Sequence, residues 1–278
     1  MPTIDAPQNQ SNIPATTLEQ YDADGYLIVR GLYSATEIAA IRETFMQQAA
    51  QGPTVGLSDI LKVVDPNDPL TLYPRMLNPH RHTDKKVGTV ALEFLLAPRL
   101  EGILTSLLGE EPLAAQSMFY FKPPGARGQA LHQDNLYLRV QPGTCLAAWL
   151  AVDDVDEENG GMKVVIGTHR EEIVCPEEAD PNESFTAHLV PVPEGKQAVH
   201  LNMKAGDVLF FNGSLIHGST PNTSKNRFRC SLISHYVPRS CEEVAGYYKP
   251  LLSFDQNEVA KLSAEGGGPC GVVVGSPH

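Results

Sequence analysis

LHQDNLYL, residues 131–138, decides how this chain is read. Leu131, Leu136, Tyr137 and Leu138 are strand formers, so the stretch predicts a β-strand. Successive side chains on a strand point to opposite faces, and residues two apart share one. His132 and Asp134 then stand side by side, with Gln133 turned the other way into the structural layer. An imidazole beside a carboxylate suits one shared metal ion. For an isolated pair, a solvated strand residue next to a turn-capping acid is the plainer account, so other features have to decide.

The strand pattern around it holds from residue 114 onward. AAQSMFYFKP, LHQDNLYLRV, TCLAAWLAVD, GMKVVIGT, AVHLNMK, GDVLFFN and FRCSLISHYV all read as strands. PPG at 123, QPG at 141, NGG at 159, AGD at 205 and PNTS at 221 punctuate them as turns. Many short strands with regular turns mean a sandwich or barrel, of which the jelly roll is one solution. Upstream the period is helical. Residues 1–15 read as a flexible lead-in, followed by a helical segment over 17–22 and a short strand, YLIVRGL. Ser34 with Glu37 forms a capping box for the next helix. A second helical stretch, 88–109, is broken at Pro98. The expected organisation is one domain over 1–278: a helical part at about 17–110, a mainly β core with flanking helices at about 114–238, and an irregular glycine-rich tail.

Of the 278 residues, 42% are hydrophobic and 19% charged, ordinary values for a globular enzyme. The net charge of -12 argues against nucleic-acid or anionic-membrane partners, which favour a basic patch. The longest apolar run, LAAWLAV, is too short to span a bilayer. The N-terminus lacks an apolar signal core, and Cys145, Cys175, Cys230, Cys241 and Cys270 form no CxxC pair. Free thiols in a reducing, cytoplasmic compartment are expected.

Two further features bear on the His132–Asp134 pair. His217 closes the apolar segment VLFFNGSLIHG and can supply a third ligand from another strand. Two histidines and one carboxylate form the facial set of non-haem Fe(II) oxygenases, with open positions opposite. Zinc is the competitor, since catalytic zinc sites use the same ligand types. In RFRCSLISHY, 227–236, Arg229 and Ser231 again share a face and make a clamp for a carboxylate. Arg227 has the same parity and stays a rival. Trp149, the only tryptophan, reads as core when taken alone.

Taken together, FKPPGARGQALHQDNLYL, CLAAWLAVDDVDEENGGMKVVIGTHR, KAGDVLFFNGSLIHGSTPNTS and RFRCSLISHYV resemble the phytanoyl-CoA dioxygenase family of Fe(II)/2-oxoglutarate oxygenases. The N-terminal YDADGYLIVRGLYSATEIAAIRE is similar to that family as well. The resemblance implies a double-stranded β-helix core of the cupin-like, jelly-roll kind. It implies Fe(II) bound by His132, Asp134 and His217, with 2-oxoglutarate and O2 as cosubstrates. Arg229 is implied over Arg227 as the anchor of the 2-oxoglutarate C5 carboxylate, with Ser231 beside it. Trp149 and Met118 match positions lining the cosubstrate pocket, and Tyr120 follows Met118 on its face. The carboxylate at 134 sets the chain apart from halogenases, which carry a small residue there. The long motif of ectoine hydroxylases is missing before His132.

The expected reaction is oxidation, in the first place hydroxylation, of a small metabolite or natural product, with release of succinate and CO2. A zinc hydrolase and a non-catalytic small-molecule-binding barrel are the alternatives. The Arg229–Ser231 pair argues against the first, and the intact ligand set against the second. A monomer or homodimer without nucleic-acid or membrane partners is expected. Substrate contacts are assigned to Asn78 and His80 in NPHRH, and to Asn135, Tyr137 and Arg139 after Asp134. His188, His200 and His235 read as structural, and His169 as shaping a turn.

Overall fold

The computed structural model describes residues 1–6, 13–59, 67–265 and 270. Most of the tail expected to be irregular, residues 266–269 and 271–278, lies outside the described residues. So do residues 7–12 of the lead-in.

The beginning of the lead-in is not loose. Thr3–Asp5 forms β1, parallel to β2 (Tyr26–Arg30), and so covers what would be an open sheet edge. Helix α1 (Ala15–Asp24) stops at Gly25, φ 85°, in the left-handed conformation that glycine takes without strain. The predicted capping box opens α2 (Ala35–Ala49): the Ser34 hydroxyl accepts from Glu37 N, and Glu37 Oε2 accepts from Ser34 N. A single turn, α3 (Pro69–Leu72), and a two-residue strand, β3 (Met76–Leu77), follow. Pro98 divides the second helical stretch into α4 (Lys86–Leu95) and α5 (Pro98–Leu108), where its missing N–H costs nothing at the helix start.

The strand region then runs through β4 (Pro112–Tyr120), β5 (Gln129–His132), a helical turn α6 (Asn135–Leu138), β6 (Leu146–Ala151) and β7 (Met162–Val165). It continues with β8 (Glu177–Glu178), β9 (His188–Leu189), β10 (Ala198–His200), β11 (Val208–Asn212), β12 (His217–Ser219) and β13 (Ser231–Pro238). Four two-residue strands, β14 (Glu243–Val244), β15 (Leu251–Leu252), β16 (Glu258–Val259) and β17 (Leu262–Ser263), close the described chain.

Most of these strands form two facing sheets of a jelly roll, while β8 with β9 and β14 with β17 form separate two-stranded pairs. The large one runs β1-β2-β11-β6-β13-β4-β15-β16, with β3 added to β4; the small one runs β10-β7-β12-β5. Both are open sheets. Met118, Tyr120, Trp149 and Ile233 of the large sheet and Met162, Val164 and Leu201 of the small-sheet side share one apolar cluster between the layers. The other face of the large sheet packs under α2, α4 and α5. There Phe45 stacks on Phe119 with ring centroids 3.9 Å apart. Replacing Phe45 by alanine should destabilise the fold by about 3–5 kcal/mol, measurable by denaturant unfolding of the metal-free protein.

Two strand readings need correction. The 131–138 stretch is strand only to His132. Asp134 has φ -61° and ψ -34°, and residues 135–138 turn helically until Arg139, φ 55°. The apolar triplet Leu136, Tyr137, Leu138 fits either structure, and Asn135 Oδ1 accepting from Val140 N closes the turn. His217 does not end the VLFFN strand. Residues 213–216 carry the chain from the large sheet to the small one, and His217 begins β12.

The cysteine expectation is corrected as well: Cys175 and Cys270 form a disulfide, while Cys145, Cys230 and Cys241 are free and buried. The pair is 95 residues apart in sequence, and only the return of the C-terminal segment joins it, which spacing cannot disclose. No helix among the described residues is long and apolar enough to cross a membrane.

Candidate active site

β5 and β12 are antiparallel, and their register sets His132 directly opposite His217. Directly opposed residues are near neighbours across a ladder, so two imidazoles meet between the sheets. Their ring centroids are 4.2 Å apart. Gly218 permits this approach: a Cβ there would come within 2.8 Å of Gln129 O. Asp134 arrives from the turn after β5, with Oδ1 3.4 Å from His132 Nε2 and 3.6 Å from His217 Nε2. All three residues are buried, and one ligand atom from each falls within 4.8 Å of the others.

The local hydrogen bonds fix which nitrogen each imidazole presents. His132 Nδ1 faces Ala130 O at 2.8 Å and His217 Nδ1 faces Leu215 O at 2.9 Å, so both Nδ1 atoms carry the proton. Both Nε2 lone pairs then point at Asp134 Oδ1. Burial first pushes His217 down to about 4, with Asp134 pulling upward and His132 pushing downward, so it is neutral at pH 7. Burial opposes ionisation of Asp134. The facing imidazoles of His217, His235 and His132 outweigh it and hold the carboxyl well below its usual range. Facing acceptors of this kind call for a cation among them, and the donor set fits a divalent metal with open positions on one side.

His235, read as structural from the sequence, belongs to this centre. Its Nε2 lies 3.0 Å from Asp134 Oδ2, which turns Oδ1 toward the histidines. A histidine within a buried strand gives no hint of that contact. Gln129 was also missed. A bulge in the β5–β12 register brings its amide to 3.1 Å from His132 Nε2. His235→Ala should lower metal affinity about 10- to 100-fold, as loss of an outer-shell partner does, and metal titration of the apo protein measures it.

Arg229 lines the same cavity. It lies before β13, not within the expected strand, and is 3% exposed. Its NH1 donates to Ser231 Oγ at 2.9 Å, its Nε donates to Gly160 O at 3.1 Å, and Cζ stands 5.4 Å from the Trp149 ring. Burial lowers the guanidinium to about 10, still protonated. Arg227, its rival, lies at the surface and pairs with Asp156 and Glu158, both at 2.7 Å. Met118, Tyr120 and Trp149 line the cavity together with His132, Asp134, His217 and Arg229. Ser231 is fully buried beside it. Arg75, which no sequence feature singled out, stacks on Tyr120 and Phe185 at 5.5 and 4.6 Å and pairs with Asp59.

The five proposed substrate contacts do not come together. Tyr137 is near the centre, its ring 6.3 Å from that of His132. Asn135 caps its own turn, and Arg139 donates to Glu265 O at 2.6 Å. His80 Nδ1 lies 2.6 Å from Ser117 Oγ, on the face of β4 opposite Met118. Burial first, then the Arg81 and His82 charges, push His80 down to about 3. Asn78 takes φ 48° and reaches Tyr247 at 3.4 Å. His169 does shape a turn, with Nε2 2.9 Å from Asp22 O.

Known proteins resemble this chain in sequence and in fold. The sequence profile of the phytanoyl-CoA dioxygenase (PhyH) family matches residues 21–230. "Phytanoyl-CoA dioxygenase 1" of Oryza sativa subsp. japonica is 27% identical over 235 residues, covering 74% of this chain and 83% of its own. Among solved structures, EvdO2 from Micromonospora carbonacea var. aurantiaca complexed with 2-oxoglutarate superposes with a TM-score of 0.63 at 19% identity, over 81% of this chain and 91% of that one. The epimerase SnoN in complex with Fe3+, alpha ketoglutarate and nogalamycin RO superposes with a TM-score of 0.61 at 22% identity, over 82% and 86%. The chain therefore belongs to the phytanoyl-CoA dioxygenase family and is an iron- and 2-oxoglutarate-dependent oxygenase of jelly-roll fold.

Proposed function

We propose that this oxygenase hydroxylates a small metabolite or natural product and that His132, Asp134 and His217 hold its iron. The observation that carries the reading is one cavity lined both by these three residues and by Arg229 and Trp149. Bound iron with 2-oxoglutarate supplies oxidation of an unactivated C–H bond, with succinate and CO2 as by-products. Arg229, its guanidinium braced by Ser231 Oγ and Gly160 O, binds the distal carboxylate and sets the depth of the cosubstrate. Trp149, Met118 and Ile233 form an apolar wall that keeps water away. His235 keeps Asp134 aimed at the metal.

A zinc hydrolase has no use for a buried guanidinium without an acidic partner, so that alternative has no support. The natural-product class is favoured by structural neighbours such as the epimerase SnoN from nogalamycin biosynthesis. The net charge of -12 favours it over a polyanionic thioester. The test is substrate-stimulated succinate formation with Fe(II) across acyl-CoA, amino-acid and polyketide or saccharide panels. Stimulation by acyl-CoA esters alone overturns the substrate class, and absence of any Fe(II)-dependent succinate overturns the site assignment.

A further inference from the structure

Lys122 follows β4 in the apolar run MFYFK and is 2% exposed. Its ammonium donates to Ser219 Oγ and Thr220 O, both at 2.7 Å, and to Gly160 O at 3.2 Å. All three acceptors are neutral. Among the described residues no carboxylate pairs with Lys122 or with Arg229. Gly160 O also accepts from Arg229 Nε, so one carbonyl joins two buried cations. Gly160 has φ +83°, and a Cβ there would lie 2.4 Å from Lys122 Cδ, so the lysine stem packs where only glycine leaves room.

Two buried like charges on one acceptor are unfavourable unless an anion joins them. Burial first, then the Arg229 and Lys163 charges, hold the Lys122 amine well below its ordinary value. Ser219 links Lys122 to the cavity. Its oxygen already accepts from Lys122 and, at 3.2 Å, from Gln129 N. Its own proton is left to donate, and Ser219 lines the cavity beside Arg229.

We propose that Lys122 is a positioning residue for the distal carboxylate of the cosubstrate, fixing the Ser219 hydroxyl and the Gly160–Arg229 contact so that the cavity selects 2-oxo diacids over 2-oxo monoacids. This rests on the cosubstrate reading of the cavity given above. The role differs from a plain structural tie, because a tie stabilises the walls for any 2-oxo acid.

The test compares wild type with Lys122→Met by anaerobic titration of the Fe(II) protein with 2-oxoglutarate and with 2-oxobutanoate, following the visible charge-transfer band. The expected result is about 10- to 100-fold weaker binding of 2-oxoglutarate, as for other outer-shell losses. Binding of 2-oxobutanoate, which lacks the distal carboxylate, stays unchanged. Thermal melting of the metal-free proteins reports folding. If Lys122→Met does not fold, Lys122→Gln keeps N–H donors while removing the charge, and the same split is expected. Equal weakening of both ligands, or of neither, overturns the proposal. A wild type that does not prefer 2-oxoglutarate overturns the cavity reading itself, and this proposal with it.

Discussion

Asp134→Ala is expected to abolish Fe(II)-dependent succinate formation and the anaerobic charge-transfer band. Asp134 is the only carboxylate in the cluster, and its Oδ1 is shared between two Nε2 atoms at 3.4 and 3.6 Å. Removing it leaves a donor set of two imidazoles with no carboxylate to offset the charge of the divalent ion. The fall in metal affinity should exceed the roughly 10- to 100-fold that loss of an outer-shell partner causes. His235→Ala is the graded control. It leaves the ligand set whole and removes only the contact at 3.0 Å, so a weaker band survives. Both variants are measured as folded proteins, with melting of the metal-free forms as the check. Wild-type iron affinity in Asp134→Ala would falsify the assignment of this residue as a ligand.

The way Asp134 reaches the site also marks how far the sequence could be read. The pairing of His132 with Asp134 was legible, but for a reason the structure replaces. Strand alternation predicts a common face, whereas the chain leaves β5 after His132 and swings the carboxylate in from a helical turn. Short apolar stretches such as NLYL carry no period that separates strand from helical turn. Helix boundaries at Ser34 and Pro98 were legible because capping and proline chemistry are local. Register was not: the opposition of His132 to His217 and the bulge that aims Gln129 depend on pairing between distant segments. Lys122 was invisible for a related cause, since a lysine after MFYF reads as the exposed end of a strand until Gly160, Ser219 and Thr220 close over it.

Parity left Arg227 and Arg229 as equals, and substitution separates them with the second-largest expected effect. Arg229→Met should weaken 2-oxoglutarate binding by about 2–5 kcal/mol, the range for breaking a buried, hydrogen-bonded charge pair. That corresponds to roughly 30-fold at the low end and several thousand-fold at the high end. Arg229→Lys should recover little, because an ammonium cannot reproduce the planar contacts to Ser231 Oγ and Gly160 O or the stacking near Trp149. Arg227→Ala should leave cosubstrate binding unchanged. Its guanidinium is engaged by Asp156 and Glu158 at the surface, where solvent screens ion pairs and leaves them little weight. Calorimetric titration of 2-oxoglutarate into the Fe(II) proteins under nitrogen measures all three. A loss in Arg227→Ala with Arg229→Met intact would move the anchor to the surface and empty the cavity of its cosubstrate role. The opposite outcome places the distal carboxylate beside Trp149, within reach of the donors that Lys122 and Ser219 hold in place.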